Sequence, residues 1–438
     1  MKSLLIFGVL GNTLLLAYFK YMNFFISNIH FFFGFNLSYI NIALPLGISF
    51  FTFQQIAYLV DAYRGEAKVY AFKDYALFIT FFPHLIAGPL VHHKDIIKQF
   101  EDPSVFNFKA RNISEGFTLF CIGLFKKVIL ADGIGQYANL IFNYIEQGHD
   151  VSFLPAWCGI LAYTFQIYFD FSGYSDMAIG LARILGVRLP CNFNSPYKST
   201  SIIDFWRRWN ITLSGFLKSY LYIGLGGNRK GKLRRYINLM ITMTLGGLWH
   251  GASWTFVFWG ILHGFYLCIN HAWRSIKKLY GASDLHSITW FNATLSRAVT
   301  FLTVSIAWVF FRAKSFSNSI TMLRGMFLYN GLTLPKHYQD LLQNFISVKF
   351  INYNDKINYL VKPNEILMIL ICFLIILLPN SQQFINKHFF SEKSDGFIFI
   401  KSTGSAIIKY TWIALFSLIF VFCLILSSKP NAFIYFKF

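Results

Sequence analysis

The sequence predicts an all-α fold, a polytopic bundle of membrane-embedded helices. Three observations carry this. Only 13% of the 438 residues are charged, while 55% are hydrophobic; a water-soluble domain carries about 25% charged residues. Aromatic residues make up 20%, with 52 Phe, a composition that suits lipid-facing helices and interfacial belts. Basic residues outnumber acidic ones by 39 to 19, for a formal charge of +20, and they are spread among apolar runs. That spread argues against a nucleic-acid-binding face. It fits the positive bias of cytoplasmic loops, and a site for an anionic donor is a second use of the same charge. The length allows about ten spans of roughly 20 residues, expected as one domain over residues 1–438.

In chain order, residues 4–19 read as a short first span. No small-residue cleavage site follows it, so it is expected to stay uncleaved. Residues 23–35 mix aromatic and polar groups and suit an interfacial segment. Residues 40–63 form the next candidate, with Pro45 near the start, where proline is tolerated. Asp61 and Arg64 are expected to mark its exit into water. Residues 75–91 are broken by Pro83, His84, Gly88 and Pro89. Non-helical backbone at membrane depth survives only when buried in protein or lining a cavity, so this stretch reads as re-entrant, ending in a polar loop at His92, His93, Lys94 and Asp95. A kinked span is the plain alternative.

Residues 116–130 form a span whose Lys126 and Lys127 are expected to snorkel from a helix end. Residues 153–185 are long and apolar, yet contain Asp170 and Asp176. These lie about 240° apart on an ideal helix, so lining one cavity requires a break near Gly173. A hydrogen-bonded structural network is the plain alternative, because buried polar groups need partners in any case. A connector with Pro190 and Pro196 follows. Beyond residue 263 come a span at 295–311 ended by Arg312 and Lys314, an amphipathic piece at 320–328, a polar connection at 330–362, and spans at 366–378 and 407–426. The tail FIYFKF suits an interface anchor. The six cysteines are scattered without a CxxC pair and read as reduced packing residues.

Chemistry concentrates between residues 204 and 263. An ionisable group at bilayer depth is costly and is a functional hypothesis by default. Phe205, Trp206 and Trp209 fall at helical spacing on one face. Arg207 and Arg208 point elsewhere, as in an amphipathic interfacial helix or in a forked guanidinium clamp on donor phosphates. Residues 224–228 form a flexible turn, not a phosphate loop. Arg229, Lys230, Lys232, Arg234 and Arg235 mark a cytoplasmic side. His250 follows Trp249 between glycines that permit close approach. Its imidazole titrates near neutrality and can accept a proton from a hydroxyl or thiol; a packing histidine is the alternative. His263 lies roughly 20 Å further along one straight helix and about 220° round it. The two histidines meet only if the helix breaks near Gly251, so His263 is assigned a lining or orienting role. GxSxG, HExxH and G-x(4)-G-K-[ST] patterns are absent, and the histidines are too dispersed to suggest a metal centre.

The stretches DFWRRWNITLSGFLKSYLYIGLGGNRKG and LGGLWHGASWTFVFWGILHG together resemble the membrane-bound O-acyltransferase family. The similarity is greatest to its bacterial branch of alginate and peptidoglycan O-acetylation membrane components. ISFFTFQQIAYLVDAYRG, FPHLIAGPLVHHKD, QIYFDFSGYSDMAIG and FIYFKF are similar to further family blocks in the same order, so the resemblance covers nearly the whole chain. It implies a multi-helix bundle around a tunnel or funnel, with His250 of the WHG motif as the catalytic residue, either a general base or a transient acyl acceptor. On this reading Arg207, Arg208 and Lys218 favour the donor's phosphates. Trp206, Trp249, Asp170, Asn210 and His263 line the substrate path. Acetyl-CoA is the implied co-substrate, with no tightly bound cofactor. The implied partners are an envelope glycan acceptor, an extracytoplasmic esterase-like acetyltransferase and the lipid bilayer of a bacterial inner membrane. Peptidoglycan is the favoured acceptor, with alginate, lipopolysaccharide or another exopolysaccharide as alternatives. Two departures stand out. Many relatives have RWH where this chain has Asn210, which can hydrogen-bond but cannot titrate near pH 7. The chain is also expected to start later than its relatives, without one or two first spans. A transporter using the same buried polar groups, or a scaffold without chemistry of its own, are the competing classes.

Overall fold

The structure, a computed structural model, describes residues 2–68, 70–85, 88–279, 290–334, 351–353, 357–389 and 406–427. Helices α1 (Lys2–Leu16) and α2 (Met22–Phe33) are joined by a π-turn, Ala17–Tyr21, into one rod. Leu4, Phe7, Leu10 and Leu14 are exposed along it, an apolar stripe at helical spacing that suits lipid contact. Of residues 23–35, those up to Phe33 continue this rod instead of forming a separate interfacial segment, and Gly34 ends the helix with φ +70°. Their polar groups have protein partners: Asn28 Oδ1 accepts from Trp254 Nε1 at 2.7 Å, and Asn23 exchanges hydrogen bonds with the backbone of Ile40.

Helix α3 (Ile48–Tyr63) starts after Pro45; α4 (Phe72–Thr80), α5 (Phe82–Leu85) and α6 (His93–Phe100) follow. The interruption expected around Pro83 and His84 is present. His84 is buried there, accepting from Gln54 Nε2 (3.3 Å) and donating to the Phe78 carbonyl (3.0 Å). Two expectations are corrected. Asp61 does not exit into water, and His93 does not lie in a polar loop. Both are buried, with His93 Nε2 donating to Asp61 Oδ2 at 3.1 Å and Lys94 Nζ 3.2 Å from the same oxygen. Each supplies the partner that the other needs away from water.

Helix α7 (Ala110–Phe125) runs through a second π-turn, Lys126–Ala131, into α8 (Asp132–Glu146). Helix α9 (Phe153–Ile184) is unbroken over 32 residues, so Gly173 does not divide it. Gly173 instead lets two backbones approach. A Cβ there would crowd the Gly123 carbonyl, and one at Gly180 would crowd the Gly116 carbonyl. The two pairs, seven residues apart on each helix, set α7 and α9 antiparallel. Lipid tails are as apolar as leucine, so small residues and polar contacts hold helices together there. Lys126 and Lys127 do not snorkel. Lys126 Nζ pairs with Asp176 at 2.6 Å, and Lys127 Nζ with Asp170 and Asp132 at 2.7 Å each. Arg183 and Arg111 both reach Glu115 at 2.7 Å. Ser381 donates to Asp176 at 2.6 Å. The network alternative therefore describes the carboxylates of α9.

The remaining elements are α10 (Ile202–Trp206), α11 (Ile211–Phe216), a π-turn Leu217–Tyr222, α12 (Gly231–His250), α13 (Trp254–Leu279), α14 (Trp290–Arg312) and α15 (Phe316–Met326). Strands Leu332–Leu334 and Ile351–Tyr353 pair in parallel, and helices Ile357–Leu360, Pro363–Leu377, Ser381–Phe389 and Ala406–Leu426 complete the chain. By length and composition alone, Lys2–Phe33 and Phe291–Arg312 are apolar enough to cross a membrane. Pro363–Leu377 with Ser381–Lys387 adds a third if that bent pair counts as one span. Among the described residues this is fewer than the ten spans that chain length allows. Helices as long as α9 and α13 carry Asp170, Asp176 or His263 inside them. The FIYFKF tail lies outside the described residues.

Removing Lys127 takes away the cation that lies 2.7 Å from the buried Asp170 carboxylate. Lys127→Met is expected to cost about 3–5 kcal/mol, read as a lower thermal midpoint in detergent. Adding Asp170→Asn should recover part of the loss. An unchanged midpoint in Lys127→Met contradicts the assignment.

Candidate active site

The site is built on the α12–α13 hairpin. Helix α12 ends at His250, and α13 begins at Trp254. The break near Gly251 that the two histidines need in order to meet is present. Ser253 ends the turn as an N-cap, its Oγ accepting from Thr255 N at 3.3 Å. The two helices then run back to back through glycine. A methyl group at Gly260 would overlap the Met243 carbonyl oxygen, and one at Gly247 would overlap that of Phe256. This closeness brings His263 and His250 to the same indole, Trp259.

The two imidazoles lie against one indole. Ring centroids are 5.2 Å apart for His250 and Trp259, and 4.7 Å for Trp259 and His263. His250 is 5% exposed and also touches Trp249 (4.9 Å) and Phe311 (5.2 Å). His263 is 0% exposed and accepts from Trp206 Nε1 at 3.3 Å. Trp308 stacks on Trp259 at 5.6 Å, and Trp209 packs on Trp308 at 5.1 Å. An aromatic column thus runs from Trp206 on α10 through His263, Trp259 and His250 to Phe311 at the end of α14.

The backbone of the His250 turn is held from a distance. The last carbonyls of a helix lack intrahelical partners. Here Tyr21 Oη donates to Leu248 O at 2.9 Å, and Lys20 Nζ to Trp249 O at 2.6 Å and His250 O at 3.4 Å. An ammonium at a helix C-terminus is also favoured by the helix dipole. Both residues lie on the first π-turn, a deformation often found at functional sites. Sequence reading missed them, together with Trp259, Trp308 and Phe311. Lys20 does interrupt an apolar run, and that was the available signal.

The other candidates are placed less centrally. Trp206 and Trp249 reach the histidines. Asn210 is buried in the turn between α10 and α11, with φ +42°, a conformation that asparagine tolerates better than most residues. Trp209, expected at an interface, is buried instead. Arg208 Nε donates to Asp204 at 2.9 Å, while Arg207 and Lys218 are exposed. Asp170 is committed to Lys127. Arg229 and Lys230 are exposed in the turn before α12, and Lys232 and Arg234 are exposed in the first turn of that helix; the turn is braced by Asn238 Nδ2 donating to Gly227 O at 2.8 Å. Beyond Phe311 and Phe256 lies a cavity of about 510 Å³.

Residues 13–310 match the family model described as MBOAT, membrane-bound O-acyltransferase family. The chain belongs to this family. It is 43% identical over 355 residues to a peptidoglycan O-acetyltransferase of Helicobacter pylori, covering 75% of this chain and 66% of that protein. It is 42% identical over 335 residues to the probable alginate O-acetylase AlgI of Azotobacter vinelandii, covering 75% and 63%. A teichoic acid D-alanyltransferase of Streptococcus thermophilus is 28% identical over 282 residues, covering 61% and 68%. The chain thus spans a little under two thirds of the length of the first two relatives.

Lys20→Met removes the ammonium from the Trp249 and His250 carbonyls. An expected loss of about 1–3 kcal/mol would appear as a lower midpoint of tryptophan-monitored unfolding in detergent, with Lys20→Arg closer to the parent. Equal midpoints for Lys20→Met and the parent would show that the contact does not hold the turn.

Proposed function

We propose that the chain is a membrane O-acetyltransferase. It moves an acetyl group from a cytoplasmic thioester donor, acetyl-CoA, to a hydroxyl of a cell-envelope glycan. The observation that carries the reading is His250 at the hairpin break, held in an aromatic enclosure one side chain away from a polar cavity. The imidazole takes the proton as the acceptor oxygen bonds to the thioester carbonyl carbon. The tetrahedral intermediate then collapses, the C–S bond breaks, and the thiol leaves with the proton returned by the imidazolium. His263, behind Trp259 and bonded to Trp206, is a positioning group that fixes the indole against which His250 packs. Arg207 and Lys218 are exposed cations on the α10–α11 side, suited to donor phosphates.

The named activities of the Helicobacter pylori and Azotobacter vinelandii relatives support acetyl transfer. The higher-ranking acceptor is peptidoglycan, with alginate or another exopolysaccharide as the alternative. The expected setting is a bacterial cytoplasmic membrane. There the basic turn at 229–235 faces the cytoplasm, and an extracytoplasmic esterase-like protein works at the opposite side.

His250→Gln keeps the size of the side chain but removes the base. It is expected to lower donor-dependent glycan acetylation by about 10²–10⁴-fold, measured as thiol release from acetyl-CoA by the protein in proteoliposomes. Retention of more than half the parental rate, with the variant folded, would remove His250 from the chemistry. Acetyl movement without thiol release would favour transport.

A further inference from the structure

A second cavity, of about 560 Å³, shares no lining residue with the one beside Phe311. One wall comes from α7, the second π-turn and α9, through Phe125, Leu130 and Phe169. The facing wall comes from helices Pro363–Leu377 and Ala406–Leu426, through Ile375 and Leu415. Leu415 and Leu378 line the cavity and are also exposed, so it is a groove open at the apolar surface. A void among apolar side chains forfeits dispersion contacts on its empty side. At this surface the bilayer supplies alkyl chains to fill it.

One edge of the groove is cationic. Helices Pro363–Leu377 and Ser381–Lys387 are bent by 43°, and the break between them, Leu378 to Asn380, lines the cavity. Lys198 Nζ donates to the Leu377 and Leu378 carbonyls at 3.0 and 2.7 Å. Asn380 Nδ2 donates to Asn194 Oδ1 and Ser195 Oγ at 3.0 Å each. An ammonium has three donors, so Lys198 keeps one. Burial, and then the Arg208 and Arg297 guanidiniums, hold its amine below the usual lysine range, so three cations converge here. Arg208 is paired with Asp204. Arg297 is exposed and makes no ion pair among the described residues. Three cations against one carboxylate leave this edge positive. His271 on α13 lies within electrostatic reach of both Arg207, next to Arg208, and Arg235. The edge therefore belongs to the same end of the bundle as the basic stretch 229–235, the end that the positive-inside bias puts toward the cytoplasm.

We propose that this groove holds an acyl chain of an anionic phospholipid of the cytoplasmic leaflet, with the lipid phosphate on Lys198 and Arg297. Basic pockets between membrane helices on that side suit anionic head groups. A groove that is apolar except at one charged edge matches an amphiphile, not a free phosphate. Between it and His250 stand Tyr168, Trp209, Trp308 and Trp259, with successive ring centroids 6.3, 5.1 and 5.6 Å apart. The lipid therefore touches no reacting atom. It is a structural ligand that fills the space between α9 and the last helices, and its binding does not rest on the acetyltransferase reading.

The test uses the full chain, delipidated in detergent. Dioleoyl phosphatidylglycerol is the anionic probe and dioleoyl phosphatidylcholine the zwitterionic one, and bound lipid is counted by native mass spectrometry. Phosphatidylglycerol should bind about tenfold more tightly, the worth of one charged hydrogen bond. Arg297→Gln, at an exposed side chain without an ion pair, should reduce that preference. The double variant Lys198→Gln, Arg297→Gln should erase it. Arg229→Gln with Lys230→Gln removes the same charge from the basic turn and should leave the preference intact. Ile375→Trp, which fills the groove, should weaken both lipids, and glycerol phosphate, which has no chains, should displace neither. Equal affinity for the two lipids, or no binding of either, overturns the proposal. So does a preference that falls as far in the basic-turn variant as in the Lys198 and Arg297 one, since net charge alone would then attract the lipid. Displacement of phosphatidylglycerol by an equal concentration of glycerol phosphate overturns it as well, because the groove would then contribute nothing.

Discussion

The structure depends on how closely α12 and α13 can approach. Two histidines thirteen residues apart share one indole only because the chain reverses at 251–253 and glycines 247 and 260 leave no side chain between the two backbones. In lipid no hydrophobic force pulls such helices together, so direct backbone packing has to do it. A side chain at either glycine would collide with the facing backbone and push the two helices apart. The Lys20 and Tyr21 contacts then fix the end of α12, so the imidazole of His250 projects from a capped terminus, not a frayed one. The N-terminal rod is otherwise largely exposed, and Asn28 adds a contact to Trp254 at the start of α13.

The second constraint is the electrostatics of α7, α8 and α9. Six charged side chains, Lys126, Lys127, Asp132, Asp170, Asp176 and Glu115, meet along a glycine-spaced antiparallel pair, with Arg111 and Arg183 at one end. The π-turn at Lys126–Ala131 sends two consecutive lysines to carboxylates six residues apart on α9. A buried pair is costly to assemble and more costly to break, so this network fixes register more than it adds stability. It positions the face of α9 that carries Tyr163 and Gln166 toward the cavity.

Much of this was legible in the sequence. Composition gave a helical membrane protein. The glycines around Trp249 and His250 announced a close approach, and the thirteen-residue spacing stated the condition under which both histidines could meet. What could not be read was partnership across the chain. Asp61 and His93 each read as water-facing because polar residues usually end spans, whereas 32 positions apart they satisfy one another. Lys126 and Lys127 read as snorkelling for the same reason. Lys20 lies 229 residues from Trp249, and no local pattern indicates that it caps that helix. Asp170 read as a path residue because intramembrane carboxylates so often are; its partner Lys127 was in view, but the antiparallel register that joins them was not.

The central claim is that chemistry occurs at His250, on the cavity side of Trp259. An experimental structure with a non-transferable acetyl-CoA thioether analogue bound tests it directly. The account predicts the acetyl carbon within about 4 Å of the His250 imidazole, near-attack distance, with the nucleotide toward the α10–α11 side. An acetyl group seated instead at His263, or held away from both rings, would contradict it.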